Sequence, residues 1–159
     1  MSIEKARAYL REYGLEDRIQ EFNVSSATVE LAAQALGVAP ERIAKSLTFA
    51  KGDGCVLIVA AGDARIANPK FKAQFGMKAT MLSAEEVERL TGHAVGGVCP
   101  FGVGPDVEVY LDESLRRFET VFPAAGSANS AIELTPDELC RVSGALRWVD
   151  VCKLPEQSA

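Results

Sequence analysis

The sequence predicts an α+β fold: a mixed, largely central β-sheet with helices flanking it. Three observations carry that expectation. The segment Cys55-Val-Leu-Ile-Val-Ala60 is apolar on both faces, which a strand tolerates only where its sheet is covered on both sides, so this strand is expected at the centre. It follows Lys45-Ser-Leu-Thr-Phe-Ala50 across Lys51-Gly52-Asp53-Gly54, a hairpin signal. Around this pair, helical and strand-like segments alternate without a repeating period, which excludes solenoids and other repeat architectures.

The elements follow in order. Ile3, Ala6, Leu10 and Tyr13 recur at helical spacing among charged residues, and Gly14 supplies a stop, so an amphipathic helix opens the chain. Ile19 to Phe22 alternates as a short strand. Ser25, Ser26 and Thr28 offer N-caps for a helix that runs through Leu36 and ends at Gly37. Pro40 suits the first turn of a short helix before the hairpin. Asn68-Pro69 opens a helix to about Phe75, and Ser83-Ala-Glu-Glu86 caps another that ends near Leu90. Val107 to Leu111 and Thr120 to Pro123 read as strands around a charged helical turn at Glu113 to Phe118. The strand Ala131 to Leu134, a Thr135-capped helix from Pro136 to Val142 and the strand Trp148 to Val151 complete the chain.

With 159 residues, 48% of them hydrophobic and 25% charged, the chain suits one soluble domain, here 1–159. A chain of this length buries roughly 68–70% of its unfolded surface, so its core needs neither disulfide nor structural metal. Lys and Arg number 17 against 22 Asp and Glu. That acidic balance excludes a protein that coats nucleic acid by bulk charge and leaves only a local patch for such a partner. Four cysteines without a CxxC pair, together with a single histidine, disfavour a zinc site. No apolar run reaches the ~18 residues of a membrane span, and a reducing cytoplasm fits the free thiols.

Four places could carry chemistry. Lys45 begins a strand among Ile43, Ala44, Leu47 and Phe49, where a desolvated ammonium can polarise an ester carbonyl or hold a phosphate. The plainer reading is a lysine snorkelling to the surface. In Gly96-Gly97-Val98-Cys99-Pro100 the backbone can approach a ligand closely, with the N–H groups of Gly97, Val98 and Cys99 free to converge on an oxyanion, or it can merely turn a corner. Cys99 adds the option of a thiolate nucleophile with His93 as its base, against that of a buried structural thiol. Gly126-Ser127-Ala128-Asn129-Ser130 has the inventory to orient a small polar ligand or to form an ordinary turn. The cations Arg65, Lys70, Lys72 and Lys78 stand with no acidic residue among them and offer either a phosphate-binding island or a solvated helix face.

Three ordered motifs, Ala44-Lys45-Ser46-Leu47, Thr91-Gly92-His93-Ala94-Val95-Gly96-Gly97-Val98-Cys99-Pro100-Phe101-Gly102 and Ala125-Gly126-Ser127 before Ile132-Glu133-Leu134, give a chain that resembles the YbaK/ProX family. These are free-standing relatives of the editing domain of bacterial prolyl-tRNA synthetases, and the resemblance runs from about Phe22 to Val151. It implies a deacylase acting in trans on the ester of a mischarged tRNA, with tRNA(Pro) carrying a small amino acid such as alanine or cysteine as substrate. It further implies no metal or organic cofactor, and a synthetase or another carrier as a possible partner. Lys45 matches the family's essential lysine. Gly96 and Pro100 match the ends of its GxxxP loop, which brings Gly97, Val98 and Cys99 into the expected site. Gly126 and Ser127 match its late small-residue loop, and Phe22 stands where the cysteine-specific branch has tyrosine. Cys99 replaces a common serine and Ala131 a sometimes acidic residue, so the branch stays open, and with it the amino acid removed, alanine, serine or cysteine by size. A non-catalytic module that binds tRNA or a synthetase through the basic island is the alternative.

Overall fold

The structure, a computed structural model, describes residues 2–155; residue 1 and residues 156–159 of the expected 1–159 domain lie outside the described residues. Helix α1 (Ser2–Arg11) opens the chain, and strand β1 (Ile19–Glu21) leads to α2 (Val29–Leu36). Thr28, the last of the expected caps, is the one used: its side chain accepts from the Leu31 N–H. Pro40–Arg42 forms a single 3₁₀ turn, and Ile43 already belongs to β2 (Ile43–Lys51), which pairs with β3 (Gly54–Ala61) across the expected hairpin.

Then come β4 (Arg65–Ile66), α3 (Asn68–Phe75), α4 (Ala84–Thr91), β5 (Val107–Asp112), a 3₁₀ turn at Glu113–Arg117, β6 (Phe122–Pro123), β7 (Ser130–Ile132), α5 (Pro136–Ser143), β8 (Arg147–Val149) and β9 (Cys152–Lys153). Both α4 and α5 start with a complete capping box, Ser83 with Glu86 and Thr135 with Glu138.

Among the described residues the main sheet has five strands in the order β6-β2-β3-β5-β8. The β2–β3 pair is antiparallel and the other three pairs are parallel, so the sheet is mixed as expected. Strand β3 is its middle strand, and Cys55 through Ala61 are all buried, which accounts for the unbroken apolar run. Phe71, Phe101, Leu111, Leu115, Leu134 and Leu139 fill the core around it.

Two small antiparallel ribbons flank the sheet. Strand β1 pairs with β7, and β4 pairs with β9, placing Arg65 opposite Lys153. The β4–β9 ribbon was not expected, because two-residue strands carry no periodicity of their own. It is held by the buried carboxylate of Asp112, which accepts from the N–H groups of Ser114 and Val151 at 2.9 Å each, while Ser114 Oγ accepts from Ala61 N at 3.1 Å. This network fastens the end of β3 to the approach of β9 and thereby shapes the turn at residues 62–64, beside Lys45.

Candidate active site

A cleft of about 430 Å³ opens between the start of β2, the residues leading into α2, the 95–98 loop and the strands β6 and β7. Its walls are mainly small and apolar: Ala27, Val29, Ala32, Ala44 and Val98 line it, with Met81 and Val95 exposed at its rim. Lys45 stands in this wall. Its Nζ donates to the carbonyls of Ala64 and, at 3.3 Å, Gly62. Burial lowers the Lys45 pKa below the ordinary lysine value, partly offset by the carboxylates of Asp63 and Glu30. The ammonium is thus half-desolvated, oriented by carbonyl dipoles and without a carboxylate within ion-pair distance among the described residues.

The two glycine loops that the sequence singled out separately are packed on each other. A Cβ at Gly97 would lie 2.7 Å from Ser127 Cα and 2.9 Å from the Gly126 carbonyl carbon, so only glycine permits this approach. Gly96, with φ +98°, turns its backbone toward the cleft beside Ala27 and Ala128. Gly96 and Val98 line the cleft. Gly97 lies behind it, and its N–H is already used on Ala94 O at 3.0 Å, so of the three expected oxyanion donors Val98 and Cys99 are left, and of these two Val98 lines the cleft. Neither of those two N–H groups has an acceptor among the described residues.

Cys99 departs from the expectation at its side chain. The thiol is fully buried in the core with Phe101 rather than lining the cleft, and burial pushes its pKa up to about 12. His93 cannot serve it as a base. Its Nε2 lies 2.7 Å from Phe101 O, and a carbonyl only accepts, so Nε2 carries the proton. The same nitrogen is 3.5 Å from Cys99 Sγ. The nucleophile reading is thereby corrected: thiol and imidazole are a buried structural pair. Pro100 is buried as well and ends the loop away from the cleft wall.

In the late loop, Gly126 and Ser127 buttress Gly97, while Ser130 reaches the cleft and hydrogen-bonds Ser127 Oγ at 2.7 Å. Phe22 is half-buried and tied by its backbone to Asn129, 2.8 Å from N to Asn129 O, but its side chain is not part of the cleft lining. Sequence reasoning missed two hydroxyls, Ser26 Oγ and Ser46 Oγ, which are buried in the cleft wall without a hydrogen-bond partner among the described residues. Unpaired buried hydroxyls are costly in a finished core and are expected where a polar ligand completes them.

The basic island divides. Lys70 pairs with Asp150 at 3.1 Å and donates to Cys152 O. Lys72 and Lys78 are exposed around a depression beside Asn68 and Pro69. Arg65 lies apart from them, beside Lys153 in the β4–β9 ribbon.

A mixed sheet with a lysine-bearing cleft closed by two abutting glycine loops defines an editing-type fold, and the comparisons agree. Residues 24–142 match the family described as aminoacyl-tRNA editing domain, and the chain belongs to that family. It is 57% identical over 154 residues to YwhH of Bacillus subtilis, covering 96% of this chain and 98% of the relative. It is 31% identical over 114 residues, 70% of each chain, to EbsC of Enterococcus faecalis, described as a candidate Cys-tRNA(Pro)/Cys-tRNA(Cys) deacylase. Proline–tRNA ligase of Thermotoga maritima is 34% identical over 90 residues, which are 56% of this chain and 15% of the synthetase. Among solved structures, one described as a candidate trans-editing enzyme for prolyl-tRNA synthetase superposes with TM-score 0.86 at 32% identity, covering 96% of this chain and 97% of the other. No helix among the described residues is long and apolar enough to cross a membrane.

Proposed function

We propose that the chain is a deacylase acting in trans, hydrolysing the ester that joins a small amino acid such as alanine or cysteine to the 3′ end of tRNA(Pro). One observation carries the reading: the half-desolvated Lys45 ammonium and the backbone of Gly96 and Val98 border one small-walled cleft. In the reaction, a water oxygen attacks the ester carbonyl carbon and the carbonyl oxygen gathers negative charge. Lys45 and the Val98 N–H are the donors bordering the cleft that are available to that charge. The bond to the ribose oxygen then breaks, that oxygen takes one of the water's two protons to become a hydroxyl, the other proton passes to solvent and the amino acid leaves as its carboxylate. Ser26, Ser46 and Ser130 supply hydroxyls to the amino acid or the water, and Ala27, Ala32, Ala44 and Val98 limit the side chain by size, which is how an editing sieve rejects the larger correct residue. The family needs no cofactor for this chemistry, and a synthetase or another carrier in the cytoplasm would deliver the acidic protein's tRNA substrate.

The test is single-turnover deacylation of tRNA(Pro) charged with alanine, cysteine, serine or threonine by wild type and Lys45→Ala. Wild type is expected to remove one or two of these esters, and the variant to lose about 10²-fold or more in rate. Its melting point should fall only a few degrees, because water in the cavities can hydrate the freed carbonyls of Gly62 and Ala64. With spontaneous hydrolysis subtracted, wild-type rates should decline as pH rises through the lowered Lys45 pKa, short of the ordinary 10.5, as the ammonium is lost. Retained turnover in Lys45→Ala removes the lysine from the mechanism. Binding of tRNA without hydrolysis by wild type favours instead a non-catalytic module, for which the exposed Lys72 and Lys78 are the contacts.

A further inference from the structure

A second cavity, of about 620 Å³, lies on the other side of Lys45. Lys45, Arg65 and Lys153 line it together with the turn at Gly62, Asp63 and Ala64 and with Glu30. Arg65 and Lys153 are direct partners in the β4–β9 ribbon, so their side chains are held near one another by backbone pairing rather than by chance on a loop. Like charges placed opposite each other on a ribbon repel unless an anion joins them. Neither cation has a carboxylate within ion-pair distance among the described residues, although other surface cations such as Lys51, Lys70 and Arg116 do. Of the two carboxylates in the cavity, Asp63 is committed to Arg117, with its two oxygens 2.6 and 3.1 Å from the guanidinium nitrogens. Among the described residues, Glu30 is thus the carboxylate of this cavity that has no guanidinium partner, against three lining cations.

We infer that this cavity is a phosphate subsite, in which Arg65 and Lys153 hold the last phosphodiester of a nucleic-acid 3′ end while Lys45 stands at the seam with the cleft. The inference rests on the deacylase reading for what occupies the cleft. In an aminoacyl-tRNA the ester and the nearest phosphodiester are separated by a single ribose, and Lys45, with Val29, lines both the cleft and this cavity. Arg65 supplies a planar fork for two phosphate oxygens and Lys153 a point charge. Both are positioning residues that set how the 3′ end is registered against Lys45.

The experiment measures the affinity of wild type and of Arg65→Ala/Lys153→Ala for two trinucleotides. One is CpCpA, and the other is the same molecule with a neutral methylphosphonate in place of the last phosphodiester. Wild type is expected to prefer the charged linkage by about tenfold or more, and the double variant to lose that preference. The salt slope of CpCpA binding should become shallower in the variant by about 0.7, the contribution of one neutralised phosphate on a single strand. Thermal unfolding checks that the variant is folded, and Arg65→Lys, which keeps the charge, is expected to recover part of the preference. Equal wild-type affinity for both probes, a preference surviving in the double variant, or no binding of CpCpA by wild type overturns the subsite. If the linkage preference is found and no ester is hydrolysed, the deacylase reading fails while the subsite stands.

Discussion

Replacing Gly97 with alanine tests the contact on which the cleft depends. The added Cβ would stand 2.7 Å from Ser127 Cα, 2.8 Å from Ser127 N and 2.9 Å from the Gly126 carbonyl carbon. All three are backbone atoms, so no side-chain rotation relieves the overlap and one loop must move. Gly97 does not occupy the left-handed region, so crowding alone sets the cost, about 1–3 kcal/mol for an overpacked site. In a chain of this size each kcal/mol corresponds to roughly 2–4 °C, which places the fall in Tm at about 2–12 °C. Activity should fall further, by about 10²-fold, because the displaced segment carries Gly96 and Val98 of the cleft wall, and a shift of ~1 Å there misplaces the reacting ester. Gly52→Ala is the comparison: at φ +57° with nothing within 4 Å of its Cβ, it incurs only the backbone cost of about 1–2 kcal/mol and should leave turnover unchanged. The assay pairs thermal unfolding with deacylation of alanyl-tRNA(Pro). A Gly97→Ala protein that melts and turns over like wild type would refute the abutting loops.

Two further expectations concern the buried pair behind the cleft. Burial lowers the His93 pKa below 6.5, so between that depressed value and 6.5 the unfolded chain binds more protons than the folded one. Stability contributed by neutral His93 is therefore fully present above pH 6.5 and is lost as pH falls through this window. His93→Gln, which keeps a donor for Phe101 O, should flatten that part of a Tm-against-pH profile, and an unchanged slope would rule the residue out as its source. Cys99→Ala, which removes a thiol kept neutral by burial, should cost about 1 kcal/mol, or roughly 2–4 °C, and keep the deacylation rate within about twofold. A hundredfold loss of rate in a folded Cys99→Ala protein would return the thiol to the chemistry.

The legible parts of the fold are those whose signal lies within the element. The capping boxes of α4 and α5 act over three residues, and the run Cys55 to Ala60 announces its two-sided burial by composition, so these could be read directly. The edges were less legible. Strand β8 is displaced to Arg147–Val149 from the expected Trp148 to Val151, and β4 and β9 exist only because each finds the other across most of the chain. Lys45 and the Gly96 to Pro100 loop carried a residue-level pattern. Ser26 and Lys153 carried none and Ser46 only its place beside Lys45, since a serine or an isolated lysine gains meaning only from its surroundings.

By itself, the sequence determined the element types, the central strand, the lysine and the two glycine-rich segments, because propensity, capping and hydrophobic period are local properties of neighbouring residues. Tertiary structure alone decided that the two glycine segments touch, that Cys99 faces the core while Val98 faces the cleft, and that the basic island divides. It also decided that Arg65 stands beside Lys153 rather than with Lys72 and Lys78. These outcomes depend on which strands pair and on which side of the backbone the core lies, and pairing partners distant in sequence set both.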